Sequence, residues 1–378
     1  MAKLDKWEDR LLDLGKRNKL INYKDSKVNT LEVVFPSVQS VYSIFTGEKP
    51  SLTVVDIDDM VKKNHLEKSL TRDIASNLTE LKNNQIALLN RYTPTQKVLK
   101  TISKKAKETI LERGINVLYL AIGFVWWREE GNNAYYKAPL ILVPISIKNE
   151  SATTPTIIEQ YEDEVIINPT LCYKLAVEKN IKLPILEDGE DLEEYLLKVA
   201  KTVAVLGWKT TKEMRIGLFS FLKMNMYLDI KNNADFILQN KNVLTLLGER
   251  QVDEKENILE ADKAKNTELV LHNVVDADSS QTEAIKMAKQ GLSFVLQGPP
   301  GTGKSQTITN IIAECLYDGK KVLFVSEKLA ALSVVYNNLK KAELDDFCLE
   351  LHSYKTNKKE VIAELNRILN KPKSSISC

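Results

Sequence analysis

Eight consecutive residues, Gly298-Pro299-Pro300-Gly301-Thr302-Gly303-Lys304-Ser305, have the types and spacing needed to hold a phosphate chain. Glycines let successive backbone N–H groups turn inward around phosphate oxygens. A helix beginning where the loop ends adds the partial positive charge of its N-terminus. Lys304, the one residue assigned a catalytic role, would reach the β and γ phosphates of a nucleoside triphosphate such as ATP. The Ser305 hydroxyl would ligate Mg²⁺, and Gln306 is counted with the nucleotide-binding set. The flanks satisfy this P-loop pattern: Ser293–Gln297 reads as a short apolar strand, and Gln306–Leu316 has apolar residues at helical spacing. A chance Gly/Pro-rich turn between strand and helix is the competing account.

The elements that must position this loop are bounded by length and composition. A chain of 378 residues calls for two or three domains. With 53 basic and 51 acidic residues, net charge neither demands nor excludes nucleic acid, so local distribution must decide. Cys172, Cys315, Cys348 and Cys378 form no CxxC pair and read as reduced thiols, and His65, His272 and His352 are too dispersed for a local zinc motif. Met1–Trp7 lacks an apolar signal segment and no run approaches a membrane span, so the expectation is a soluble, cytoplasmic protein with no membrane partner.

Residues 5–23 read as a helix with Trp7, Leu11 and Leu14 on one face, ending in the basic cluster Lys16-Arg17-Asn18-Lys19. Residues 57–113 read as helical, with Leu66, Leu70, Ile74, Leu78 and Leu81 on one stripe and Pro94 interrupting. A second basic segment follows at Lys97, Lys100, Lys104, Lys105, Lys107 and Arg113. Both basic clusters are read first as solvated helix surface, with phosphate contact as the alternative. Residues 115–147 give a strand, a turn at Gly131 and a second strand, and the Trp126-Trp127 pair is read as core rather than as a base-stacking platform. Beyond them come a strand, the turn Asn168-Pro169, helices near 192–205 and 236–247, and a buried run at 220–228. The polar stretch 251–266 is read as a linker between an N-terminal module, 1–250, and a nucleotide-binding part, 267–378. In the latter the pattern alternates: strand 321–326, helix 329–342, strand 347–352, helix 358–369, which implies a parallel sheet. Gln281, before an amphipathic helix, carries an amide able to read an adenine edge.

The ordered set Asp278-Ser279-Ser280-Gln281, then Gly298 to Ser305, then Val322–Lys328 resembles the Q motif, motif I and motif Ia of superfamily 1 helicases. The form Gln-Gly-Pro-Pro-Gly-Thr-Gly-Lys-Ser is similar to the 5′ to 3′ branch that includes the helicase of nonsense-mediated decay. The resemblance implies adenine contact by Gln281, and nucleic-acid contact by Ser326, Lys328 and the step His352-Ser353. It implies ATP and Mg²⁺ as cofactors and single-stranded DNA, or RNA, as partner. The N-terminal stretches Leu11–Leu14, Arg17–Asn22, Leu118–Phe124, Ala138–Pro144 and Asn168–Leu171 resemble an uncharacterised module that precedes the motor in large bacterial helicases of this superfamily. Some of these continue into a nuclease and are linked to DNA processing and anti-phage defence.

The expected fold is therefore α/β: an N-terminal α+β module followed by an incomplete RecA-like P-loop NTPase domain with a parallel sheet. After Ser305 there is no apolar strand ending in an Asp-Glu pair, and Glu343-Leu344-Asp345-Asp346 is a poor substitute for those carboxylates. A second motor domain with its arginine finger is also absent. The expectation is a piece of a larger helicase that binds nucleotide weakly and does not unwind alone, completed by missing motor and nuclease parts or by a partner protein. A nucleotide-switched binding module, and a P-loop ATPase acting on proteins, are the alternatives.

Overall fold

The computed structural model describes residues 2–47, 50–57, 81–82, 84–148, 154–161, 164–187, 189–250, 262, 268–299, 301–351 and 358–370. It divides into two compact units, Met1–Ile110 with Asn116–Asn232, and Leu111–Ile115 with Asn233–Cys378.

Among the described residues the first unit holds eight strands: β1 (Thr30–Phe35), β2 (Ser51–Asp56), β3 (Gln85–Leu89), β4 (Leu118–Trp127), β5 (Tyr136–Lys148), β6 (Ile157–Gln160), β7 (Ile166–Ile167) and β8 (Lys209–Leu218). Its helices are α1 (Ala2–Leu11), α2 (Val38–Phe45), α3 (Thr95–Arg113), α4 (Pro169–Lys179), α5 (Leu192–Ala204) and α6 (Leu222–Asn232). The strand order is β4-β8-β1-β3-β2-β6-β5-β7, and β4 also pairs with β5, so the sheet closes on itself. Only β2 with β3 runs parallel among the recorded pairs. The β4–β5 hairpin anticipated from the sequence is the spine of this barrel, and both of its strands are buried nearly throughout. Leu120, Ile122 and Trp127 belong to a core shared with Val98 and Ile102 of α3 and Tyr195 and Val199 of α5. The alternate residues Tyr119 and Ala121 cluster with Leu20, Tyr23 and Phe219, and Phe124 joins them because the register shift between Ile122 and Phe124 reverses the two-residue alternation.

Four of the five N-terminal stretches singled out in the sequence meet here. The Asn168 side chain caps α4 by accepting from the N–H groups of Thr170 and Leu171, while its amide donates to the carbonyls of Leu20 (2.6 Å) and Pro139 (2.8 Å). Trp127 Nε1 donates to the Ile21 carbonyl at 2.7 Å, which makes this tryptophan a buried clamp. Beside them Arg215 is buried among three carboxylates: Asp25 at 3.1 Å, Glu32 at 3.3 Å and Glu213 at 3.0 Å. Lys137 reaches Glu213 at 2.5 Å. Burial pushes the Glu213 carboxyl up, but the Lys137 hydrogen bond and the charges of Lys137 and Arg215 outweigh it and hold it below the usual range. The Lys137 ammonium is shifted down, by burial and by the neighbouring guanidinium.

Two sequence expectations are corrected in this unit. The first helix stops at Leu11 because Gly15 and Asn18 form a turn on Asp13, so Leu14 and the basic cluster lie in a loop. Gln85–Leu89, read as helix, is a strand between β1 and β2, and its four-residue apolar run, Ile86–Leu89, has no period long enough to tell the two apart. Leu66, Leu70, Ile74 and Leu78 lie outside the described residues.

The second unit contains α7 (Ala234–Ile237), α8 (Lys241–Leu247), α9 (Ser279–Lys289), α10 (Lys304–Tyr317), α11 (Leu329–Lys341), a short 3₁₀ turn at Asp345–Phe347 and α12 (Lys358–Leu369). Among the described residues the parallel sheet expected here is not observed. The residues 293–297, 321–325 and 348–351 carry no regular secondary structure and join no ladder. Central parallel strands are covered on both faces. In this unit α10 and α11 form an apolar cluster through Ile312, Val335 and Leu339, with Phe324 packed against it, while Val295, Leu323 and Val325 are 82%, 84% and 75% exposed. The apolar residues that suggested strands are present, but among the described residues no second layer covers them. No helix among the described residues is long and apolar enough to cross a membrane.

Candidate nucleotide-binding site

The loop of glycines opens into α10 as its sequence requires. Gly301 has φ +89° and Gly303, which caps the helix, has φ +74°, the left-handed region that favours glycine. A side chain at Gly303 would collide with the amides of Gln281 and Gln306, and a Cβ at Gly298 would stand 2.5 Å from Thr302 Oγ1. A Cβ at either glycine would therefore require those side-chain ends to shift. Thr302 donates through Oγ1 to the Pro299 carbonyl at 2.9 Å, tightening the turn. Lys304 is exposed, and its ammonium donates across the loop to the Gly298 carbonyl. Ser305 is half-buried one residue further along the helix, and Gln306 is exposed. These residues fit a triphosphate: the ammonium spans the loop mouth, the first-turn N–H groups of α10 are unclaimed by the helix ladder, and the glycine geometry leaves room for phosphate oxygens.

Gln281 is brought to the loop by a capping box. Its N–H donates to Asp278 Oδ1 at 2.8 Å, and its Oε1 accepts from the Asp278 N–H at 3.2 Å. Its Nε2 donates to the Thr302 carbonyl at 3.2 Å, inside the phosphate-binding loop. The same amide thus ties the start of α9 to the P-loop and keeps one further N–H and lone pair for a base edge. Backbone and Ser280 hydrogen bonds hold the Asp278 carboxyl below its usual range.

Residues not singled out in the sequence support this arrangement from behind. Asn310, fully buried on α10, accepts from the N–H groups of Val274 (2.9 Å) and Val275 (3.1 Å) and donates to the Val275 carbonyl (2.9 Å). One turn on, buried Glu314 accepts from the His272 N–H and from the Lys289 ammonium at the end of α9, which raises the lysine's affinity for its proton. Asp318 lies 3.5 Å from Lys289 and 3.1 Å from Lys320. The signal was a polar residue every fourth position, 310, 314 and 318, on a helix whose other stripe is apolar.

The remaining sequence candidates are not gathered here. Ser326 and Lys328 precede α11, where the Lys328 N–H donates to Ser326 Oγ at 3.3 Å, and no recorded hydrogen bond or ion pair links them to the P-loop. Pro300, His352 and Ser353 lie outside the described residues. Asp346 is held by Arg367 at 2.8 Å. Among the described residues no group of three or more His, Cys, Asp or Glu is arranged to hold a metal ion.

Comparison with known proteins adds to this geometry. Residues 276–375 match the AAA domain family, and residues 10–175 match a family described as a protein of unknown function (DUF4011). An uncharacterized ATP-dependent helicase of Mycoplasma genitalium is 28% identical over 312 residues, covering 75% of this chain and 27% of the relative. The chain is similar to ATP-dependent helicases. A homologous helicase of Mycoplasma pneumoniae is 29% identical over 279 residues, covering 66% of this chain and 24% of its own length. The resemblance drawn from the motifs, a helicase-like ATPase domain behind a module of unknown function, is thus found independently. The chain spans about a quarter of the length of these curated relatives. No solved structure matches it.

Proposed function

We propose that this chain is the ATP-binding part of an ATP-dependent nucleic-acid helicase or translocase of superfamily 1, with Mg²⁺ as the accompanying ion. The observation that carries the reading is the Gly298–Ser305 loop, with Gly301 and Gly303 at positive φ, Lys304 across its mouth and α10 rising from its end. In this reading Lys304 holds the β and γ phosphates, Ser305 contributes an oxygen to the metal, and Gln281 faces the adenine. ATP supplies the phosphoryl-transfer energy when bound, and this chain's residues bind and orient it. The carboxylates that would position the attacking water are supplied from outside the described residues, by further sequence or a partner, as the much longer relatives suggest. Ser326, Lys328 and the His352-Ser353 step are assigned to the nucleic-acid strand, single-stranded DNA before RNA.

A fluorescent ATP analogue titrated into the purified chain, with and without Mg²⁺, tests the assignment. Lys304→Ala should abolish saturable binding, and Ser305→Ala should remove only its metal dependence. Equal affinity in the parent and Lys304→Ala would refute the site. Turnover by the chain alone, stimulated by single-stranded DNA, would refute the assignment of the water-positioning groups to an outside segment.

A further inference from the structure

The two basic clusters that the sequence offered as solvated surface come together in the first unit. Asn90, buried, donates to the carbonyls of Ser26 (3.2 Å) and Thr30 (2.8 Å) and accepts from the N–H groups of Tyr92 (2.8 Å) and Thr93 (2.9 Å). It thereby pins the loop after the first cluster to the approach to α3. Lys105 of α3 donates to Asn29 at 3.0 Å. The Lys27 ammonium lies 5.7 Å from the centre of the Tyr92 ring, and that ring is 65% exposed. On α3, Val98, Leu99, Ile102 and Ala106 face the core, while Lys97, Lys100, Lys104 and Lys107, at steps of three and four residues, line the opposite, exposed face.

The segments 16–27 and 97–108 together carry ten basic and two acidic residues, in a chain whose total is 53 against 51. Of the two acids, Asp25 is engaged by Arg215 at 3.1 Å and Glu108 stands 3.7 Å from Lys104. Lys19 is held below its normal basicity, first by burial and then by the charge of Lys105. The α3 row from Lys97 to Lys107 is about 15 Å long at ~1.5 Å per residue. It therefore spans about four phosphate steps of a duplex strand at ~3.4 Å each. An exposed tyrosine beside a lysine at one end offers a stacking face for an unpaired base.

We propose that this face of the N-terminal module, the exposed lysine row of α3 with Lys19, Lys27, Tyr92 and Lys105, binds the phosphate backbone of nucleic acid. It is separate from the nucleotide site and does not depend on the reading of that site.

The test is fluorescence anisotropy of the full chain, without nucleotide, against a labelled single strand and a labelled duplex at several salt concentrations from about 50 to 200 mM, the range over which backbone contacts are lost. Lys100→Glu/Lys104→Glu/Lys107→Glu should weaken binding at least tenfold and reduce the slope of log K against log salt by about 2–3, at roughly 0.7 to 0.9 per phosphate contact. Lys182→Glu/Lys201→Glu/Lys209→Glu, with the same change in net charge on other exposed lysines, should do neither. Single Lys104→Gln and Lys107→Gln variants, each expected to lower the slope by about 1, serve if the triple variant fails to fold. Tyr92→Ala should weaken the single strand more than the duplex, and Lys304→Ala should leave all of this binding intact. The proposal is overturned if the two triple variants behave alike, if the parent chain binds neither nucleic acid at low salt, or if it binds phosphatidylserine vesicles in place of nucleic acid.

Discussion

Asn310→Ala separates the support of the nucleotide site from the site itself. The amide makes three hydrogen bonds, to the N–H groups of Val274 and Val275 and to the Val275 carbonyl, and alanine leaves all three backbone groups without it. At roughly 1 kcal/mol for each bond of this kind, the segment 272–275 should loosen by about 2–4 kcal/mol. That segment leads directly into the Asp278–Gln281 capping box, which aims the Gln281 amide at the loop. The phosphate cradle itself, at the head of α10, is untouched. ATP, GTP and inorganic tripolyphosphate should therefore be compared as competitors of a labelled nucleotide. The variant is expected to keep its tripolyphosphate affinity within about twofold while the ATP-to-GTP ratio falls towards one. Asn310→Asp keeps an acceptor for both N–H groups, loses the donor, and should fall between. An equal loss for all three ligands would show a general structural defect, and an unchanged base ratio together with a full loss of order at 272–275 by hydrogen exchange would refute the link to Gln281.

Gly303→Ala places a methyl group against Gln281 and Gln306 at a residue with φ +74°. The left-handed backbone alone costs about 1–2 kcal/mol, so nucleotide binding should be lost with a small drop in Tm, both read in one thermal-shift titration. Arg215→Ala leaves Asp25, Glu32 and Glu213 without their shared cation. Breaking a buried pair in this way costs about 3–5 kcal/mol, which urea denaturation of the barrel should show. Glu213 has a lowered folded-state pKa, so its contribution is complete above its ordinary value of about 4.5 and disappears as pH falls through the lowered one. Stability of the parent should fall in that acid window more steeply than that of Glu213→Gln. Leu323→Ser and Val325→Ser should each change stability by less than about 0.5 kcal/mol, because both side chains are exposed. A loss of about 1.5–3 kcal/mol, the worth of a buried aliphatic side chain, would show that the parallel sheet forms in solution after all.

The parts of the molecule that were legible are those fixed by neighbours in sequence. The P-loop is specified within eight residues, since Gly301 and Gly303 must take positive φ and Lys304 must follow them at the helix start. The β4–β5 hairpin likewise announces itself through two apolar runs joined at Gly131. The barrel was not legible because its closure is remote: β1 lies between β3 and β8, with Leu31 opposite Ile216. Unit 2 shows the converse. Lys321–Ser326 has the composition of a buried strand, yet composition states only what a segment could pair with, and among the described residues it joins no ladder. The polar stripe of α10 went unread because Asn310 and Glu314 look like solvent-facing residues until the segment they hold, 272–275, is seen folded back on them.

That stripe also explains how a loop of glycines can be a defined site. On α10, Ile308, Ile312 and Leu316 recur every fourth residue and pack in the cluster that includes Val335 and Leu339 of α11. Asn310, Glu314 and Asp318 recur with the same period but are offset by two residues, about 200° around the helix at ~3.6 residues per turn. The helix is therefore gripped on opposite sides, by apolar packing on one and by hydrogen bonds to 272–275 and Lys289 on the other. Its N-terminal N–H groups are left pointing out of the grip, at the glycine loop. A ligand held there binds a helix that the folded unit already immobilises, so little of its binding energy is spent on ordering the protein. The same geometry makes α10 the channel through which nucleotide affinity and the stability of this unit are linked, because every ångström by which the helix tilts moves both the phosphate donors and the segment that carries Gln281.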